Sequence, residues 1–373
     1  MKFSFLKKID WWIVAAMIPL FGVSLATISS FSDIGTTLFY RQLIWVIISM
    51  VAFFVISSIN LSVLKRSKVL MGLYAFGVAL LVSLVFVGAT NKGATSWLDF
   101  GAFSFQPSDL LKLILILILA KYLARRHVEI RSLKHLLITT VYFAIPFTLI
   151  FIQPDFGSAI ILFFIWFGMI LVAGISKKHV LIMFTVGLGL FMVMWTFVFK
   201  EYQKDRLRTF IDPLSDIQGT GYNAYQSVIA VGSGQLVGKG VGYGTQSRLN
   251  FLPEYETDFI FAAVSEEWGF VGSVIVLILF GIILIRILII GYKMNSNFEL
   301  LFAVGLFFYL MSHVVINIGM NIGVMPVTGV TLPFMSYGGS HLLVECISLG
   351  ILMSFRNQSR SVYKDDSPDV FLR

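Results

Sequence analysis

The sequence predicts an all-α integral membrane protein of about ten transmembrane helices, with one long extracytoplasmic loop between helices 7 and 8. Three observations carry that prediction. Hydrophobic residues make up 57% of the 373 and charged residues 13%, against the roughly 25% charge typical of a soluble domain. Apolar runs close to the roughly 20 residues that cross a bilayer recur along the chain. The basic residues fall in alternate gaps between those runs. A soluble enzyme and a disordered protein are excluded. The net charge of +8 reports topology and not nucleic-acid binding.

The first run, 11–30, follows Lys7 and Lys8. It exceeds the roughly 7–15 apolar residues of a signal peptide and is expected to stay as a span. Further runs fall at about 42–59, 69–88, 108–124, 136–152, 157–175, 179–198, 259–290, 300–325 and 335–355. One set of gaps holds Lys2, Lys7 and Lys8; Lys65, Arg66 and Lys68; Lys121, Arg125, Arg126, Arg131 and Lys134; Lys177 and Lys178; Arg286 and Lys293; and Arg356, Arg360, Lys364 and Arg373. The opposite short gaps hold Arg41 and Lys92. Cationic loops resist translocation, so both termini are expected in the cytoplasm and the chain in the cytoplasmic membrane. Residues 1–373 read as one polytopic domain, with 199–257 as a loop within it. Cys346 stands alone, which excludes an intrachain disulfide and a Cys/His metal cluster.

Two segments, 89–107 and 199–257, are too long for plain connections and point to function on the outer face. The longer one keeps Tyr222, Tyr225, Val228, Ile229 and Leu236, as an ordered, partly membrane-associated loop would. Its GSGQLVGKGVGYG stretch (232–244) lacks the spacing of a phosphate loop, because Gly240 follows Lys239 and Ser233 stands five before Gly238. Tight turning and the presentation of backbone N–H groups to an anionic headgroup both remain open.

Asp258 stands at the mouth of the eighth span. There it reads either as a carboxylate favoured by the helix dipole or as a partly desolvated general base. Glu266 and Glu267 lie deeper and, being adjacent, cannot share one helical face. In FQPSDLLKL, Asp109 and Lys112 are three apart and can meet as a staple, or Lys112 can face a diphosphate. Trp97 reads as an interfacial anchor or a sugar platform. Asp155 in QPDFG reads as turn chemistry. His313, Asn317 and Asn321 recur every four residues as a polar stripe that stitches helices or lines a cavity. GVMPVTGVTLPFMSYGGS (323–340) is too rich in proline and glycine for a plain span and reads as broken helix, with Glu345 following.

N-x5-G-V-M-P-x-x-G from Asn317 to Gly329, with FMSYGGS at 334–340, resembles the signature of the shape, elongation, division and sporulation (SEDS) family. QPSDLLK (106–112), QPDFGSA (153–159) and LPEYETDFIFAAVSEEWGFVG (252–272) extend the likeness over nearly the whole chain. GTGYNAYQS (219–227) and GTQSRLNFLPE (244–254) look more like its rod-elongation branch than its division branch. The resemblance implies a peptidoglycan glycosyltransferase that polymerises lipid II at the outer face of the cytoplasmic membrane for cell elongation and rod shape. Its essential aspartate falls on Asp258, its loop tryptophan on Trp97, and its fourth-helix pair on Asp109 and Lys112.

On this reading Lys239, Arg248, Glu254, Ser336, Gly338 and Gly339 complete the substrate-binding set. Charge on the leaving diphosphate would be met by Lys112, Lys239, Arg248 or a divalent cation such as Mg2+ or Mn2+, with no organic cofactor. The expected partners are lipid II, a class B penicillin-binding protein and membrane proteins of the elongation complex, with no nucleic acid. Glu256, Ser96 and His341 depart from the family's usual histidine, arginine and small residue. A lipid II flippase and a non-catalytic scaffold are the alternatives. The first lacks a visible internal repeat, and the second leaves costly intramembrane charges unused.

Overall fold

The computed structural model describes residues 9–30, 33–87, 89–91, 94–99, 101, 104–125, 133–197, 199, 201–212, 221–249 and 251–365. The ten apolar runs all become helices: α1 (Trp11–Ser29), α2 (Asp33–Ser58), α3 (Ser67–Val87), α4 (Pro107–Arg125), α5 (Leu133–Ile152), α6 (Phe156–Ala173) and α7 (Lys177–Phe197), and later α11 (Ile260–Tyr292), α12 (Asn297–Asn321) and α13 (Gly339–Asp365). Eight helices among the described residues are long and apolar enough to cross a membrane. The other two of the ten, α4 and α13, carry more charge. Asp109, Lys112, Lys121 and Arg125 lie on α4, and Glu345 and Arg356 on α13. Lys2, Lys7, Lys8, Lys92, Arg126, Arg131 and Arg373 of the basic pattern lie outside the described residues.

The charged helix α4 is the central one. It packs against α3, α5, α6, α12 and α13, and most of its residues are buried, Asp109 and Lys112 included. Around it α12 meets α6 and α11, α11 meets α1, and α13 meets α2. At the other extreme α7 buries none of its residues. An apolar helix in that position suits contact with lipid.

Between α3 and α4 the chain forms a small antiparallel sheet, β1 (Ala89–Asn91), β2 (Ala94–Asp99) and β3 (Ser104–Phe105). The all-helical reading lacks this element. Ala89 pairs with Trp97, and Leu98 with Phe105. Gly101, at φ 77°, turns the second hairpin and donates its N–H to Asp99. The segment 199–257 holds three helices, α8 (Glu201–Ile211), α9 (Tyr222–Ser233) and the single turn α10 (Thr245–Arg248). α9 lies against α11 and α12, so this loop is part of the packed body.

Candidate active site

Asp258 occupies the turn that leads into α11, and its main chain is held from two directions. From α12, Asn317 Nδ2 and Asn321 Nδ2 both donate to the Asp258 carbonyl, at 2.9 and 3.0 Å. From the broken segment 322–338, Ser336 Oγ donates to the Thr257 carbonyl at 2.6 Å, and the Tyr337 N–H donates to the Glu256 carbonyl at 2.7 Å. Donors bonded on both sides of one residue leave its backbone little freedom. A methyl group placed on Gly329 would stand 3.6 Å from Asp258 Oδ2, so the half-buried carboxylate faces that glycine, whose φ is 73°. Burial, with Glu256 alongside, pushes the neighbouring Tyr255 phenol above its ordinary pKa and keeps it neutral.

The polar stripe of α12 supplies this hold. Asn317 also donates to the Val330 carbonyl at 2.7 Å, and His313 Nδ1 lies 3.1 Å from the Thr331 carbonyl. Asn321 Oδ1 accepts from the Ala262 N–H at 3.0 Å, and its carbonyl accepts from Ser227 Oγ of α9 at 2.9 Å. Four-residue spacing puts the three side chains on one helical face. That face is the one that grips the broken segment and the first turn of α11. The stripe therefore stitches elements together, the first of its two sequence readings.

The motifs that carry the resemblance converge on the same end of the bundle. Gln106 Nε2 donates to Asp155 Oδ2 at 3.0 Å, while its N–H donates to Ser340 Oγ. Asp155 also caps α6 through the Ser158 N–H. A Cβ on Gly157 would stand 2.8 Å from the Thr328 carbonyl, so QPDFG packs directly on the segment that faces Asp258. Half-buried Trp97 in β2 belongs to this end, since its neighbour Ser96 approaches the Gln153 carbonyl.

Several expected substrate contacts have other occupations. Lys112 is buried and lies 2.9 Å from Asp109, with both side chains 2% exposed. It serves as the staple, its ammonium held inside the bundle on a helix most of whose residues are buried. Ser336 is buried and uses its hydroxyl within the protein, donating to Thr257 and accepting from the Leu332 N–H at 2.7 Å. Gly339 is a packing position where a Cβ would fall 2.1 Å from Trp45, and Gly338 sits beside it, near His341. Glu254, at φ 57°, forms the turn before Asp258, its carbonyl accepting from the Thr257 and Phe259 N–H groups. Arg248 closes α10, and its side chain lies outside the described residues.

The glycine-rich loop also finds its reason. Helix α11 is kinked at Gly269 (φ 68°, ψ −165°), which frees main-chain groups that a straight helix would pair. The loop takes them up. Lys239 and Gly240 N–H donate to the carbonyls of Glu266 and Glu267, and the N–H groups of Phe270 and Val271 donate to Gln235 and Leu236. A Cβ at Gly234 would lie 1.9 Å from the Ser265 carbonyl, and one at Gly238 2.1 Å from that of Glu267. Only glycine allows that approach.

Buried Glu266 then gathers the loop. It accepts from the N–H groups of Thr245 and Gln246 (2.8 and 3.1 Å) and from Lys239 Nζ (2.8 Å). Adjacent Glu267 turns the other way, to Ser30, which caps the end of α1, and the Gly242 N–H. Lys239 is thus committed to a carboxylate. Glu266→Gln replaces one acceptor oxygen with a donor among donors, and each unmet group costs about 1–3 kcal/mol. Amide exchange over residues 240–247 is expected to accelerate tenfold or more, by about the factor that 1.4 kcal/mol represents. Unchanged exchange would show that Glu266 does not organise the loop.

Beside this assembly a groove of about 450 Å³ runs between α8, α9 and residues 322–327. Tyr225, Val228, Met325 and Pro326 form much of its wall. Arg206, exposed on α8, lines it and also a smaller crevice that reaches Thr328, next to Gly329. Among the described residues no three His, Cys, Asp or Glu side chains are grouped to hold a metal ion.

Residues 5–361 match the cell cycle protein family model FTSW_RODA_SPOVE. The chain is 39% identical over 292 residues to the peptidoglycan glycosyltransferase MrdB of Escherichia coli K12, covering 78% of this chain and 79% of that protein. Its fold is similar to that of a chain in a peptidoglycan synthase complex that coordinates polymerization and crosslinking (TM-score 0.81, 28% identity, 94% of this chain and 98% of that one). It is similar also to the rod shape determining protein RodA of Thermus thermophilus (TM-score 0.71, 28% identity, 94% and 97%).

Proposed function

This chain belongs to the FtsW/RodA/SpoVE family of cell cycle proteins, and from that premise we propose that it is an integral membrane peptidoglycan glycosyltransferase using Asp258 as its base. Its substrate is lipid II, and its role is glycan-strand synthesis for cell elongation. The observation that carries the reading is the fixed position of Asp258. Its carbonyl is clamped by two asparagines and its flanking carbonyls by the broken segment, while the carboxylate faces Gly329. A general base needs a fixed position before it needs a tuned pKa.

The Asp258 carboxylate takes the proton of the GlcNAc 4-hydroxyl of an incoming lipid II. That oxygen attacks C1 of the MurNAc at the lipid-linked end of the strand. Undecaprenyl diphosphate departs, and the anomeric configuration inverts. A diphosphate leaves readily once its charge is met, so one carboxylate suffices. Lys112 and Lys239 are held by Asp109 and Glu266. Arg206, beside an apolar groove, is the better placed cation for that charge. Among the described residues no three His, Cys, Asp or Glu side chains are grouped as a ready-made site for a divalent cation.

Lys65 lies between α2 and α3, Lys121 and Arg125 lie in the last turns of α4, and Arg286, in the C-terminal part of α11, pairs with Asp10 just before α1, which supports cytoplasmic termini and an outward-facing Asp258. The partner is a class B penicillin-binding protein, supported by the similarity to a chain of a synthase complex. Membrane proteins of the elongation complex complete the expected assembly. The test is polymerisation of purified lipid II by this protein with its cognate penicillin-binding protein, any transferase activity of that partner disabled. Glycan ladders are expected. Their absence with both proteins folded and bound, together with lipid II transfer across liposomes, would overturn the polymerase in favour of a flippase.

A further inference from the structure

Beneath the active loop, α13 carries two buried groups that the reaction leaves unused, His341 and Glu345. His341 Nε2 lies 2.8 Å from Glu345 Oε1, and Nδ1 lies 3.4 Å from Asp109 Oδ1. Asp109 in turn holds Lys112. The remaining titratable neighbours of the ring are His313 and Tyr309, whose ring centroids lie 4.6 and 6.4 Å from it. With His341 as the imidazolium, the two cations and two carboxylates sum to zero. An interior can hold charges on those terms, because each has an opposite partner in contact.

The second oxygen of Glu345 does something else. It accepts from the Phe334 N–H at 3.0 Å. Phe334 has φ 61°, a left-handed backbone that a non-glycine residue keeps only when its surroundings impose it. Two and three residues on stand Ser336 and Tyr337, which hold the carbonyls of Thr257 and Glu256 beside Asp258. An ion-pair contact from the imidazole to Glu345, a hydrogen bond from Phe334 to Glu345 and the chain from Phe334 to Tyr337 therefore connect α13 to the catalytic loop.

We propose that His341 and Glu345 form a charge-compensated positioning pair. The imidazole keeps the buried carboxylate in place, and the carboxylate keeps Phe334 and the loop of Asp258 in register. The inference rests on the assignment of Asp258 as the base. The rate of Asp258→Asn against wild type in the lipid II assay tests that assignment, and ratios among the α13 variants test the pair.

His341→Ser leaves Glu345 buried without its partner, and a base displaced by a fraction of an ångström loses about 10- to 100-fold in kcat. KM should stay within about twofold, because the pair acts on the loop and not on ground-state binding. His341→Ser combined with Glu345→Gln removes the charge yet keeps an acceptor for Phe334, and is expected to recover to within about threefold of wild type. His341→Ser combined with Glu345→Leu keeps neither and should stay low.

Wild-type kcat in His341→Ser, or no recovery in the glutamine double variant, would overturn the pair. If His341→Ser does not accumulate as folded protein, Glu345→Gln and Glu345→Leu are compared with His341 present. Higher kcat in the glutamine variant supports the pair, and equal values overturn it.

Discussion

Replacing Asp258 with asparagine is expected to abolish polymerisation and leave the protein folded. The substitution is nearly isosteric, and the bonds from Asn317 and Asn321 to the residue's carbonyl are ones that asparagine retains. The flanking bonds from Ser336 and Tyr337 involve the carbonyls of Thr257 and Glu256 and are untouched. What disappears is the capacity to accept a proton, and a positioned general base is worth about 10²–10⁴ in rate. Initial rates of glycan formation from lipid II would fall by that factor, while thermal unfolding in detergent shifts by no more than about 0.5 kcal/mol. A rate within tenfold of wild type would remove Asp258 as the base.

Lys112→Met is expected to cause the largest loss of stability. Lysine and aspartate on α4 are both 2% exposed and 2.9 Å apart, so removing the ammonium leaves a carboxylate in the interior. Breaking such a pair costs about 3–5 kcal/mol. His341, 3.4 Å from Asp109, offers a second positive partner and places the expected loss near the lower figure. Asp109→Asn combined with Lys112→Met removes both charges and should recover most of the loss, since paired removal is often close to neutral. Thermal unfolding of the three variants in one detergent decides it. Wild-type stability in Lys112→Met would show that the charge is not buried as described.

The fold was largely legible because hydropathy accumulates residue by residue. Each of the ten apolar runs became a helix, and the breaks at GVMPVTGVTLPFMSYGGS and at the glycine stretch appeared where proline and glycine forbid regular spans. Asp258 was legible as an acid at the mouth of a span. The three-residue spacing of Asp109 and Lys112 announced their contact, which is local. The small sheet at 89–105 was not legible, because its strands are two to six residues long and carry no clear alternation. Helices α8 and α9 were hidden inside a segment read only as an ordered loop.

Occupation of side chains was the other thing out of reach. Ser336, Gly338, Gly339, Lys239 and Glu254 look like binding residues because they stand in motif stretches near the loop end. The partners they take are set by segments as far as 294 residues away, as in the bond from Gln42 to the Ser336 carbonyl. A long-range hydrogen bond leaves no periodic trace in a sequence. The asparagine stripe did leave one, at four-residue spacing. The spacing named a face without naming what the face would hold.

The sequence by itself determined a membrane bundle, its family and an acid at the mouth of a span, the proposed base. Transfer from water to lipid is a property of each residue, and a run of them needs no partner to declare itself. Only the tertiary structure decided which charges face one another. Electrostatic and hydrogen-bond energies depend on separation and burial, and both are fixed when helices pack. The same lysine three residues from an aspartate would bind an anion on an outer helix. On α4, most of whose residues are buried, it is the partner of Asp109.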